Sequence, residues 1–96
     1  MDILTEYTDY ITLGFYFKAH ELLEEKLWDK HSKEERNLYY KGLINAAVAM
    51  ELVRKGRKEQ GRKVWNTYLK YKIQSYFEVN FKVENQWNKI TGNGLK

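Results

Sequence analysis

The amino-acid sequence predicts an all-α fold, a compact bundle of four to five helices built from antiparallel helical hairpins. Apolar residues recur at helical spacing in several segments, so each segment has one face to bury. Gly14, Gly56 and Gly61 separate these segments, and glycine is the residue that most often follows the end of a helix. A chain of 96 residues has room for one core, so we expect a single domain over residues 1–96.

The N-terminal part of the chain predicts a helical hairpin. A first amphipathic helix is expected over residues 2–13 and should end at Gly14. In the segment that follows, the small residue Ala19 comes two residues after the aromatic run Phe15–Phe17, which favours a close crossing of two helices. We therefore expect the first and second helices to pack antiparallel.

The third helix should be the longest apolar element and the core of the bundle. We expect it to run from about Lys33 to Lys55. Ser32 and Glu35 have the spacing of a capping box, in which each side chain satisfies a free backbone N–H of the other residue. His31, just before this box, is expected to be a solvated loop residue.

The C-terminal third predicts a fourth helix from about Gln60 to Phe77, then a shorter helix or docked arm over residues 78–90 and a frayed tail over 91–96. The connection from Arg54 to Lys63 holds six cationic residues among ten and two glycines. It is not a P-loop, because no strand is predicted before it and no Gly-Lys-Ser/Thr follows.

Charge is divided unevenly along the chain. Residues 1–35 hold four lysines against nine acidic residues, a net charge of −5, and residues 36–96 hold thirteen Lys and Arg against four acidic residues, a net charge of +9. Three interpretations stay open: the two parts pack on each other, copies associate head to tail, or the basic part binds a polyanion.

Composition limits the classes of function. The chain has no cysteine, which excludes disulfides and thiolate chemistry and argues against a structural zinc site. The N-terminal residues do not resemble a signal peptide, and no segment approaches the roughly 18 apolar residues of a membrane span. We expect a soluble, cytoplasmic protein without a membrane partner or a cofactor, and its abundant Lys, Glu and Tyr resemble a thermophile's composition.

The candidate polar site is a stripe on the second helix. His20, Glu24 and Trp28 are four residues apart and share one face of an α-helix, and Glu21 lies in the same segment. The stripe is either a buried polar pair that orients the imidazole, or part of a metal or acid/base site with His20 and Glu24 as ligands. Glu51, in an apolar stretch of the third helix, is a candidate to face the stripe, and if buried it needs His20 or an arginine as its partner.

A second candidate surface lies in the basic segment, where cations alternate with aromatic residues. This pattern suits single-stranded nucleic acid, and it also describes a core helix whose lysines extend to solvent. The residues of the nucleic-acid alternative are Arg54, Lys55, Arg57, Lys58, Arg62, Lys63, Trp65 and Tyr68.

Three motifs have the spacing of a known family. They are His20-Glu21-x-x-Glu24 followed by Trp28, the pair Glu35-Arg36, and the run Gly42-Leu43-Ile44. They resemble domain of unknown function family 309 over about residues 4–70. The resemblance implies a small all-helical bundle of bacteria and archaea with no established biochemical role. Trp28 comes eight residues after His20 where the family pattern has seven, and Glu51 lies near a common histidine.

Three functions are compatible with the sequence. We favour a non-catalytic module that binds a partner protein or itself, because no complete catalytic set is recognisable. The alternatives are nucleic-acid binding through the basic 54–72 segment, and a metal-binding or metal-dependent hydrolase site at His20 and Glu24.

Overall fold

The computed structural model describes residues 2–28 and 37–92, which confirm the predicted all-α bundle. α3 lies at its centre and packs against α2, α4 and α5, while α1 packs against α2 and α5. No helix in these two ranges has both the length and the apolar character that crossing a bilayer demands. The elements are α1 (Ile3–Leu13), α2 (Tyr16–Leu23), a π-helical turn (Glu24–Trp28), α3 (Leu38–Arg54), α4 (Lys58–Tyr71) and α5 (Phe77–Thr91).

The first helix begins and ends close to the predicted residues. The Asp2 side chain accepts a hydrogen bond from the Leu4 N–H, which satisfies one of the free donors at the start of α1. Gly14 follows the last helical residue with φ 84°, a left-handed conformation that side chains disfavour. Only Gly14 and Phe15 separate α1 from α2, so the two helices meet in a tight turn.

The third helix begins at Leu38, later than the predicted Lys33. Asn37 has an extended backbone, and its side-chain oxygen accepts a hydrogen bond of 2.8 Å from the Tyr39 N–H, so Asn37 caps the helix. The predicted capping box of Ser32 and Glu35, and His31 before it, lie outside the described residues.

Two glycines set the close approach of α3 and α4. A Cβ atom on Gly61 would lie 2.8 Å from the Ala49 carbonyl oxygen and 2.8 Å from Val53 Cγ2. At the other end of the contact, a Cβ on Gly42 would lie 3.3 Å from Tyr71 Cβ. The start of α3 therefore meets the end of α4, and the end of α3 meets the start of α4. These helices form an antiparallel hairpin.

The fourth helix ends at Tyr71, and the prediction that it continues to Phe77 is wrong. The backbone of Lys72 is extended, with φ −57° and ψ 135°, which stops the helix. Asn80 then fixes the connection by donating a hydrogen bond of 2.8 Å from its amide nitrogen to the Ile73 carbonyl. The final helix, α5, has 15 residues against 14 in α4, so it is a full helix rather than a shorter arm. Thr91 is the last residue of α5, and residues 93–96 of the expected frayed tail lie outside the described part.

Buried hydroxyl groups join α3, α4 and α5. The Tyr39 hydroxyl donates to Asn80 Oδ1 at 2.6 Å. The Tyr68 hydroxyl lies 3.1 Å from the same oxygen and 2.7 Å from Glu84 Oε2, and its single proton favours the closer, charged acceptor. Lys72 Nζ, 2.6 Å from Glu84 Oε2, completes the network.

Aromatic rings fill the rest of the core between helices. Trp65 on α4 and Trp87 on α5 stack with ring centroids 4.4 Å apart and planes 5° from parallel. On the other side of α3, the Tyr7 hydroxyl donates a hydrogen bond of 2.6 Å to the Leu43 carbonyl. Thus α1 is attached to α3 by a polar contact inside the core.

Burial raises the pKa of Tyr7 well above its usual value of 10.0, with a smaller contribution from nearby Tyr39. A tyrosine that stays neutral when folded but ionises when unfolded contributes stability below pH 10, and this stability is lost as the pH rises further.

The substitution Tyr7→Phe removes this titration. We expect the variant to be less stable by about 1 kcal/mol at neutral pH. Above pH 10 the deficit should shrink by about 1.4 kcal/mol per pH unit. Urea unfolding across this pH range measures the difference, and a deficit independent of pH would contradict the assignment.

The glycine contact gives a second prediction. Gly61→Ala should destabilise the protein by about 1–3 kcal/mol, although alanine is the better helix former, because the new methyl group meets the Ala49 carbonyl. Asn66→Ala, on the exposed side of the same helix, is the matched control and should change stability by less than about 0.5 kcal/mol. Thermal unfolding followed by circular dichroism compares the two, and equal effects would show that Gly61 is not a packing position.

Candidate functional site

A groove between α2 and α3 brings two of the predicted polar residues together. Its volume is about 200 Å³, and its lining comprises Tyr16, Phe17, His20, Ala47, Val48, Glu51, Leu52 and Lys55. His20 comes from α2 and Glu51 from α3, so they line opposite walls. The groove has an apolar floor and a polar rim, the usual character of a small binding cleft.

The His20–Glu24 pair lies at the rim of this groove rather than deep in the core. His20 Nε2 is 3.2 Å from Glu24 Oε1, and the side chains are 24% and 45% exposed. The ring of Phe17 meets the imidazole edge-on, with centroids 6.0 Å apart. Because both polar groups reach solvent, their attraction is screened and their pairing contributes little to folding. Glu21, on the same helix, is exposed.

The stripe does not continue as an α-helix to Trp28. Residues Glu24–Trp28 form a π-helical turn, which inserts one extra residue into a helix. The prediction that His20, Glu24 and Trp28 share one α-helical face is therefore wrong at Trp28. Trp28 is partly buried and packs against the core.

Glu51 has an arginine as its partner. Arg54 Nη2 lies 2.5 Å from Glu51 Oε1, and Arg54 Nη1 donates a hydrogen bond of 2.7 Å to the Gly14 carbonyl. The same guanidinium lies 4.8 Å above the centre of the Tyr16 ring. One side chain on α3 thus binds the turn after α1, an aromatic ring on α2 and a carboxylate in the groove.

The metal-ligand donors are few in this part of the molecule. His20 and Glu24 bring two donors together, and Glu51 across the groove is engaged by Arg54. Within residues 2–28 and 37–92, no three His, Asp or Glu side chains are grouped as a metal site would require.

The predicted basic segment divides into exposed cations and buried aromatic rings. Trp65 is 8% exposed and stacks on Trp87, and Tyr68 is fully buried against Glu84. These two rings belong to the core and are not presented beside the cations. All six predicted cations are exposed, namely Arg54, Lys55, Arg57, Lys58, Arg62 and Lys63.

Within residues 2–28 and 37–92, no ion pair joins the acidic N-terminal part of the chain to the basic helix α4. Ion pairs among the described residues are His20–Glu24, Glu51–Arg54 and Lys72–Glu84. The cations of α4 are exposed, namely Lys58, Arg62, Lys63 and Lys70.

Sequence reasoning missed a pair of exposed aromatic residues on α5. Phe77 and Phe81 are 76% and 70% exposed, and they lie one turn apart on the same side of the helix. A signal was present, because the spacing of Asn80, Val83 and Trp87 defines a buried face that excludes both phenylalanines.

Comparison with known proteins places most of this structure in a described family. A family model, Domain of unknown function (DUF309), matches residues 4–64. An uncharacterized protein of Aquifex aeolicus (strain VF5) is 39% identical over 51 residues, which cover 53% of this chain and 15% of that protein. No solved structure matches. The groove lies within the matched range, whereas α5 lies beyond it.

Arg54 is expected to contribute more to stability than the His20–Glu24 pair. Arg54→Ala should cost about 1–3 kcal/mol, because it removes two charged hydrogen bonds and a contact with the Tyr16 ring. His20→Ala should cost less than about 1 kcal/mol. Lys55→Ala, an exposed neighbour, serves as the control. Chemical denaturation of the three variants tests this order, and a larger loss for His20→Ala would contradict it.

Proposed function

The chain belongs to the DUF309 family of domains of unknown function, and we propose that it is a non-catalytic helical module that associates with a second copy of itself. The observation that carries this proposal is the exposure of Phe77 and Phe81, at 76% and 70%. Aromatic rings contribute large apolar areas at the centres of protein interfaces, and two adjacent exposed rings favour such a contact.

The surroundings of this pair also support an interface. Asn85 and Asn88 lie on the same side of α5 and extend the surface without adding charge. Glu84, beside the two rings, forms an ion pair with Lys72 and accepts a hydrogen bond from the Tyr68 hydroxyl. Depletion of net charge is typical of the core of an interface, and it is unusual in a chain with 31% charged residues.

A second copy is the occupant that the geometry favours. Two antiparallel α5 helices related by a two-fold axis between Phe77 and Phe81 would place each Phe77 beside the Phe81 of the other copy. The two rings offer roughly 300 Å² per copy, whereas a standard interface buries about 800 Å² per partner. The dimer should therefore be weak and depend on concentration.

The polar residues of the groove support a structural role more than a reaction. Glu51 is engaged by Arg54, which in turn holds the Gly14 carbonyl, so these groups connect helices. The groove then acts as a fixed part of the scaffold that presents α5.

Light scattering over a concentration series tests the proposal. The average mass of the wild type should rise toward that of a dimer, and Phe77→Ser with Phe81→Ser should keep the protein monomeric. The matched control is Phe15→Ser with Phe17→Ser, which changes two other exposed phenylalanines, at 50% and 58%, and should associate like the wild type. Circular dichroism verifies that both variants fold. A wild type that stays monomeric throughout, or a control that loses association equally, would refute the proposal.

A further inference from the structure

The outward side of α4 carries a row of cations, which we call the basic ridge, formed by Lys58, Arg62, Lys63 and Lys70. At 100° per residue these four positions fall within about 140° of one another. They extend over about 18 Å along the helix axis. All four are exposed, and the only carboxylate of α4, Glu59, lies on the same side. The ridge thus has a clear excess of positive charge.

Further charges extend the ridge at both ends. Lys55 and Arg57 are exposed in the turn that leads into α4, next to the positive end of its helix dipole. At the other end, the ammonium groups of Lys70 and Lys41 lie 5.3 Å and 5.9 Å from the centre of the Tyr71 ring. Both distances are within the range of a cation–π contact.

Tyr71 is the aromatic residue that the fold places beside Lys41 and Lys70, at the C-terminal end of the ridge. Its side chain is partly exposed, whereas Trp65 and Tyr68 on the same helix are buried in the core. A ring with two lysines at its face has the two components of a site for single-stranded nucleic acid: a surface for stacking a base and cations for the flanking phosphates.

We propose that the basic ridge binds the phosphate backbone of single-stranded nucleic acid, and that Tyr71 stacks with one of its bases. The ammonium groups of Lys41 and Lys70 then turn from the ring to the neighbouring phosphates. An anionic membrane fits this side of α4 less well, because Leu69 is the one large aliphatic side chain exposed along it, at 49%. The ridge shares no residue with the α5 surface, so binding does not depend on self-association.

Fluorescence anisotropy with a labelled oligonucleotide of about 15 nucleotides measures this binding. Parallel samples contain the same sequence as a duplex and vesicles of anionic phospholipid. The single strand should bind at low salt, more tightly than the duplex and the vesicles. Three to five phosphate contacts predict an affinity that falls with salt at a logarithmic slope of roughly −2 to −3.5.

Paired variants identify the surface. Arg62→Gln with Lys63→Gln should weaken binding of the single strand by about tenfold or more at low salt. The matched control, Lys18→Gln with Lys26→Gln, removes two exposed cations from the N-terminal part and should change affinity by less than about twofold. Tyr71→Leu should weaken binding several-fold and Tyr71→Phe should not, because phenylalanine retains the stacking surface. Thermal unfolding confirms that each variant is folded.

Several outcomes would overturn the proposal. The first is the absence of binding at low salt. The second is an equal loss of affinity in the Arg62/Lys63 double variant and in the Lys18/Lys26 control. The third is equal or tighter binding of the duplex or the vesicles. An unchanged affinity in Tyr71→Leu would remove the stacking contact from the proposal. None of these results bears on the dimer, which light scattering measures without nucleic acid.

Discussion

The close contact between α3 and α4 is the constraint on which the rest of this structure depends. Gly61 permits the Ala49 carbonyl and the Val53 side chain to come within a distance that no Cβ atom would tolerate. With the two backbones this close, one side of α4 is fully occupied by α3 and turns Trp65 and Tyr68 toward α5. The opposite side of α4 is left to solvent, and this is the side that carries its cations. The close contact at Gly61 therefore determines which residues of α4 enter the aromatic core and which form its charged surface.

Polar contacts inside the core complement this packing by specifying how α5 is placed. The side chain of Asn80 is buried. Its Oδ1 accepts a hydrogen bond from the Tyr39 hydroxyl, and its Nδ2 donates one to the Ile73 carbonyl. A shift of α5 would separate the Asn80 amide from the Tyr39 hydroxyl and the Ile73 carbonyl, and a buried polar group left without a partner costs roughly 1–3 kcal/mol. Apolar packing alone tolerates such shifts more readily, so the network selects one arrangement.

Much of the fold could be predicted because its signals are local. Gly14 ends α1 as expected, since a left-handed residue after a helix is encoded by that residue alone. The end of α4 could not be predicted in the same way, because the apolar pattern continues through Ile73 and Tyr76 while Asn80 draws the backbone away from the helix.

The candidate site likewise has features that local sequence predicts and features that depend on contacts between distant segments. That Glu51 could face His20 was suggested by its place in an apolar stretch of helix, but the contact of Arg54 with Gly14 requires two distant segments to be neighbours. The assignment of aromatic residues to core or surface, as for Tyr68 and Phe77, likewise depends on which neighbours each helix has.

The stacked tryptophans also make the docking of α5 optically visible. Two indole rings that lie nearly parallel with centroids 4.4 Å apart couple their electronic transitions, since the strength of this coupling rises steeply at short separation. This coupling depends on both α4 and α5 being in place, whereas the circular dichroism of the helical backbone does not. The folded chain therefore contains a native pair of chromophores that reports on the packing of α5 against α4, separately from the formation of the helices themselves.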